Sequence, residues 1–236
     1  MMGQVLKMKF KSYLALVFAA TMGVASSAHA GDIKGVVEIF TSQGCSSCRS
    51  ADRTFSEVIS QNGVLGLAWH VDYWDYLGWR DTFSSAQATA RQEAYSKGPG
   101  KGRIYTPQVI VNGKTLVARS RSSSAIVSAM QGPLPVRVTI EPGGKGFVVE
   151  AGEGGGRANL VLVKFFRSKT VAIKRGENVG YTITYNHPVI DSRNIGAWNG
   201  HALRQELPPG ECGASTGCAI LLQRGGAGEI LGAAML

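Results

Sequence analysis

The spacing of hydrophobic positions changes character twice along the chain. Tyr13 to Ala25 is an uncharged, largely apolar run. Gly35 to Phe40 is short, apolar and β-branched, which predicts a buried strand running into the turn Thr41-Ser42-Gln43-Gly44. Between Ser47 and Gln61, Ala51, Phe55, Val58 and Ile59 recur at helical spacing, and Asn62-Gly63 supplies the stop. A second strand is predicted at Val64 to Val71 and a second helix at Ser84 to Lys97, before Gly98-Pro99-Gly100. Tyr105 to Val111 and Lys114 to Ala118 read as a hairpin closed by Asn112-Gly113, and Ser122 to Met130 as a last short helix with a serine N-cap. The predicted order is β-α-β-α-β-β-α. Beyond Gly132-Pro133 the helical period disappears. Val136 to Ile140, Gly146 to Ala151, Ala158 to Phe166, Val171 to Lys174 and Gly180 to Tyr185 are short strand-like runs separated by turn residues, the spacing of a sandwich-like all-β domain.

The apolar run at the start has a separate meaning. Lys7, Lys9 and Lys11 precede it and Ala28-His29-Ala30 follows, the three parts of a secretory signal peptide with cleavage after Ala30. The run is shorter than the roughly 20 residues of a membrane-spanning helix. The expected divisions are therefore a leader at 1–30, an α/β domain at 31–132 and a β-rich domain at 133–236. Export implies a periplasmic or secreted protein in a compartment where disulfides persist. Of the net charge of +9, the leader's three lysines account for +3, which leaves +6 on the mature chain, and the remaining Lys and Arg are scattered. That distribution argues against a nucleic-acid partner.

Four cysteines carry the candidate chemistry. Cys45 and Cys48 sit where the first strand meets the first helix. Unpaired backbone N–H groups and the helix dipole at such a position favour a thiolate over a thiol, so Cys45 is the expected nucleophile and Cys48 the resolving partner. Arg49 is a candidate modulator of the thiolate. A structural disulfide and half of a metal site are the other readings of a C-x-x-C pair. His70 is the histidine of this region that a copper(I) carrier would recruit, or that would move a proton during exchange. Tyr73, Trp74 and Trp79 form an aromatic cluster, either a ledge for a substrate or packing for the segment that bears it. Cys212 and Cys218 enclose a small Gly-rich loop and read as a structural disulfide. No cofactor is implied.

Two resemblances attach to these residues. A C-x-x-C motif at the first strand-helix junction, with Thr106-Pro107 opening the strand before a hairpin, resembles the thioredoxin fold over about Gly35 to Gln131. The resemblance implies a cis Thr106-Pro107 bond against the redox pair, a peptide paired beside it, and partners that are protein thiols or disulfides, including a membrane redox partner. The strings Val37 to Cys48, Ala68 to Trp79, Tyr105 to Gln108 and Arg175-Gly176-Glu177-Asn178 are similar to a family of exported bacterial proteins catalogued as a domain of unknown function. In that family two prolines commonly follow the C-x-x-C, where this chain has Arg49-Ser50. The expectation is an exported thiol-disulfide oxidoreductase with a thioredoxin-like domain followed by a smaller all-β sandwich-like domain. A copper(I)-handling or redox-silent partner-binding module is the alternative.

Overall fold

The computed structural model describes residues 33–99, 102–118, 120–144, 146–213 and 215–236. The expected leader and its cleavage point at Ala30 lie outside them. Strand β1 (Gly35–Thr41) is parallel to β2 (Val64–His70), and helix α1 (Cys48–Ile59) makes the crossover between them. A 3-10 turn (Asp75–Leu77) and α2 (Ala86–Ser96) lead to β3 (Gln108–Val111), which returns antiparallel to β1. The edge strand β4 (Thr115–Val117) and α3 (Ser123–Ser128) follow. The sheet order is β2-β1-β3-β4. Asn112 and Gly113 both take positive φ, as an Asn-Gly turn between hairpin strands requires. Ser85 and Ser122 cap α2 and α3 by accepting from the N–H of Ala88 and Ala125.

The remaining strands are β5 (Val138–Gly143), β6 (Gly146–Ala151), β7 (Ala158–Phe166), β8 (Ser168–Ala172), β9 (Thr182–Asn186), β10 (Val189–Trp198), β11 (Leu203–Leu207), β12 (Thr216–Gln223) and β13 (Ile230–Met235). They form a four-stranded sheet β10-β7-β12-β13, a three-stranded sheet β11-β6-β5 and the separate hairpin β8-β9. The last four of these strands go beyond the sequence pattern, which stops at Tyr185.

Alternation explains how the layers stack. On β7, Leu160 and Leu162 face the three-stranded sheet, in a cluster with Val138, Ile140, Val149 and Trp198. Val161, Val163 and Phe165 face the opposite way, toward Val36, Phe40, Leu65, Trp69 and Ile110 of the first sheet. The four-stranded sheet is thus a middle layer with both faces covered, and β12 accordingly reads as an apolar run instead of an alternating one. The outer face of the first sheet packs on Ala51, Phe55 and Val58 of α1 and Ile126 of α3.

A buried polar network crosses the same boundary. Glu38 on β1 accepts from Arg91 Nε at 2.6 Å and Trp69 Nε1 at 2.8 Å, and also bonds the Tyr95 hydroxyl. Arg91 donates onward to Gln223 Oε1 at 3.0 Å, while Gln223 Nε2 donates to Tyr95 at 2.7 Å. A carboxylate and a guanidinium at this depth are tolerable because each is paired and hydrogen-bonded. No helix among the described residues is long and apolar enough to cross a membrane.

Candidate functional site

Cys45 and Cys48 form a disulfide with their Cα atoms 5.4 Å apart. Cys48 is the first residue of α1, and Ser47, at the N-cap, uses no side-chain oxygen to cap the helix. Its hydroxyl instead lies 3.3 Å from Cys45 Sγ, where it donates to the sulfur. The first turn of α1 carries no acidic side chain. The Cys48 N–H donates to the Cys45 carbonyl at 3.1 Å, and the pair sits at the positive end of the helix dipole, the local condition that favours a thiolate.

Behind the pair lies a buried titratable cluster. His70, at the end of β2, is fully buried with Nδ1 2.7 Å from Asp81 Oδ2, and it meets Phe83 and Tyr185 edge-on at 5.2 and 5.0 Å. Burial works against the imidazolium, but the attraction and hydrogen bond of Asp81, helped by Asp52, hold the His70 pKa above its ordinary value. Asp52 lies on α1 one turn after Cys48, hence on the same helix face. Burial raises its pKa to about 7, against the opposing pull of His70. Asp81 also accepts from the backbone N–H of Gln43 at 2.7 Å, which ties the cluster to the loop that enters Cys45. His70 Nδ1 is therefore committed to Asp81 and the ring is shut in among aromatic neighbours, away from a surface ligand position. Among the described residues, no group of three or more His, Cys, Asp and Glu side chains is placed to hold a metal ion.

The aromatic cluster braces this loop and the proline loop opposite. Trp79 Nε1 donates to Gln43 Oε1 at 2.9 Å, Trp74 Nε1 to Thr106 Oγ1 at 2.8 Å and the Tyr73 hydroxyl to Gln92 Oε1 at 3.1 Å. All three rings are half-buried, whereas Tyr76 stands exposed. The Thr106-Pro107 bond is cis. Thr106, Pro107, Tyr105, Ser47, Ala118 and Arg121 line a groove of about 540 Å³ beside the disulfide. Arg121 closes one end, donating to the Ser47 carbonyl at 3.3 Å.

The opposite side of the pair is covered by the β8-β9 hairpin. Asn178, at its tip, is fully buried and donates from Nδ2 to the carbonyls of Gln43 at 2.8 Å and Cys45 at 3.0 Å. Glu177 accepts from the Ser46 N–H at 3.1 Å, and its bonds to Ser46 hold its carboxyl below the ordinary range. The Arg49 guanidinium stacks 3.8 Å from the centre of the Tyr181 ring. Arg49 thus points at the hairpin as well as lying beside the cysteines. With these contacts in place Cys45 is only 1% exposed. Asp81 escaped the sequence reading, Arg121 entered it only among the scattered basic residues, and Gln43, Glu177 and Asn178 entered it only within a turn or a family string.

Cys212 and Cys218 form the second disulfide, with Cα atoms 5.6 Å apart. Cys218 is buried on β12, packed with Leu160, Ile220 and Trp198, so the clasp ties a loop to the core instead of closing a loop alone.

The match to a family model described as protein of unknown function (DUF1223) covers residues 36–223, from β1 through β12. The chain is similar to the protein AGR_C_4864 from Agrobacterium tumefaciens, known from a crystal structure, with 36% identity and a TM-score of 0.77 over 87% of this chain and 94% of that one. A more distant likeness, of fold alone, joins it to HBP35 of Porphyromonas gingivalis, with 14% identity and a TM-score of 0.57 over 88% of this chain and 76% of that one. No curated protein matches. The Cys45–Cys48 loop, the proline groove and the capping hairpin all fall within the matched span, and the chain belongs to the DUF1223 family.

Proposed function

We propose that this protein is an exported thiol-disulfide oxidoreductase whose N-terminal half is a thioredoxin-like domain and whose substrates are protein thiols or disulfides. The observation that carries the reading is the Cys45–Cys48 disulfide at the uncapped start of α1, bordered by the groove at Thr106 and Pro107. The sheet order β2-β1-β3-β4, with one parallel and two antiparallel pairings, supports the domain assignment.

In the oxidising direction a substrate thiolate seated in the groove attacks Cys45 Sγ. The Cys45–Cys48 bond breaks and Cys48 leaves as a thiolate with the bonding pair. A second substrate thiolate then attacks the substrate sulfur of the mixed disulfide, and Cys45 leaves. The substrate loses two electrons and two protons, and the pair ends as two thiols. Asp52, on the face of α1 that carries Cys48, is the buried carboxyl available to relay a proton to it. The reducing direction is the same sequence run backwards, with Cys45 as the attacking thiolate.

The test is equilibration of the chain lacking residues 1–30 in glutathione buffers of graded potential, with acid quenching and alkylation to count free Cys45 and Cys48. A Cys45→Ser variant serves as control. Reversible two-electron cycling supports the reading. A pair that stays oxidised across the whole series overturns it and leaves a structural disulfide.

A further inference from the structure

The burial of Cys45 is supplied by a segment 130 residues away in the chain, and the way that segment is attached has a functional meaning. The tip between β8 and β9 is closed on itself: Ile173 N–H donates to Tyr181, Gly180 N–H to Ile173 and Val179 N–H to Gly176. Gly176 and Gly180 take positive φ, which lets the chain reverse in a small space. A Cβ at Gly176 would come within 3.2 Å of Trp79 Cβ, so the turn lies flat against the aromatic brace. Its hold on the redox loop is polar: two hydrogen bonds from Asn178, one to Glu177 and the Arg49–Tyr181 stack.

Two features make this hold weak compared with the rest of the interface. Val179 and Tyr181 remain about half exposed, so seating the tip buries little apolar surface, whereas Ile173 at its base is buried. Asn178 Oδ1 and Arg49 Nε are buried without a hydrogen-bond partner, a cost that opening would relieve. A self-contained turn, anchored at its base and held at its end by a few imperfectly satisfied polar contacts, is a segment that opens locally long before the molecule unfolds.

We propose that residues 173–181 form a retractable cover over the redox pair, latched by Glu177 and Asn178, and that exchange at Cys45 proceeds only from the state in which the tip has lifted. The groove at Thr106-Pro107 does not include residues of the tip, so a partner can dock there with the cover down, and attack on the disulfide follows when the tip lifts. The proposal concerns the regulation of the site assigned above and rests on that reading.

Reduction kinetics test it without any physiological substrate. The oxidised chain is mixed with increasing dithiothreitol, quenched with an alkylating agent, and the Cys45 and Cys48 peptides are followed by mass spectrometry. In the native chain the rate is expected to rise and then level off as opening becomes limiting. In Glu177→Gln/Asn178→Ala the rate at low dithiothreitol is expected to be about tenfold higher or more, the scale of two lost hydrogen bonds. Tyr181→Ala, which frees Arg49 and leaves the Cys45 loop untouched, should act in the same direction. Reduction of Cys212–Cys218 in the same samples, unchanged between variants, shows that the fold is intact. A rate linear in dithiothreitol to the highest concentration, equal in the native chain and both variants, overturns the cover. Failure to cycle in glutathione with the plateau intact would instead remove the oxidoreductase reading and leave the cover standing.

Discussion

Asp52 shows how one side chain links site and stability. Its carboxyl keeps a proton in the fold up to about pH 7, whereas an unfolded chain surrenders it near 3.8, so stability falls as pH rises between those values. His70 adds to the trend: its pKa is raised, so its contribution is fully present below 6.5 and is lost as pH climbs through the folded value. The protein should therefore resist urea better at pH 5 than at pH 8. Asp52→Asn should shrink that difference by on the order of 2–3 kcal/mol, a scale set by the roughly two pKa units between pH 5 and the folded value; a difference unchanged by the substitution would refute the assignment. Gly66 is constrained by space alone. A Cβ there would lie 2.1 Å from Ile59 and 2.8 Å from Phe55, so Gly66→Ala should push α1 off β2 and cost about 1–3 kcal/mol in a denaturant titration.

At the scale of elements, the buried Glu38–Arg91 pair pins α2 to β1 and, through Gln223, to β12. Arg91→Leu should cost about 3–5 kcal/mol because Glu38 would be left buried without its guanidinium partner. Glu38→Gln added to Arg91→Leu should recover a substantial part, and a double variant no more stable than the single would show that packing, not charge, is what Arg91 supplies. Local elements were the legible ones. The α1 period, the serine caps and the Asn112-Gly113 hairpin depend on neighbouring residues and are visible without the fold. Strand β3 is shorter than its pattern, Tyr105 to Val111, because Tyr105, Thr106 and Pro107 line the groove. Strand β10 escaped notice because Asp191 to Asn194 are polar, as suits the edge of its sheet. Within the site, the C-x-x-C motif stands out by spacing, while the contact of Asn178 with Cys45 joins positions 133 apart and has no periodic signature.

For the whole molecule the decisive fact is the shared core. Val36, Leu65 and Ile110 pack in one cluster with Val163, Leu221 and Ala233, so the sheets on either side of residue 132 share one interior layer, besides the cluster that each half keeps to itself. Calorimetry should record one unfolding transition with calorimetric and van't Hoff enthalpies in agreement. Two resolved transitions, or a stably folded fragment of residues 31–132, would contradict this. The middle sheet has a further consequence, in the order of synthesis. Its strands β12 and β13 are the last to be made, and the hairpin that shields Cys45 is itself read more than 120 residues after the cysteines. A growing chain therefore presents Cys45 and Cys48 as ordinary, unshielded thiols until that hairpin has been made. Any oxidation that precedes completion of the hairpin acts on an uncovered pair, in a chain with only half of its core.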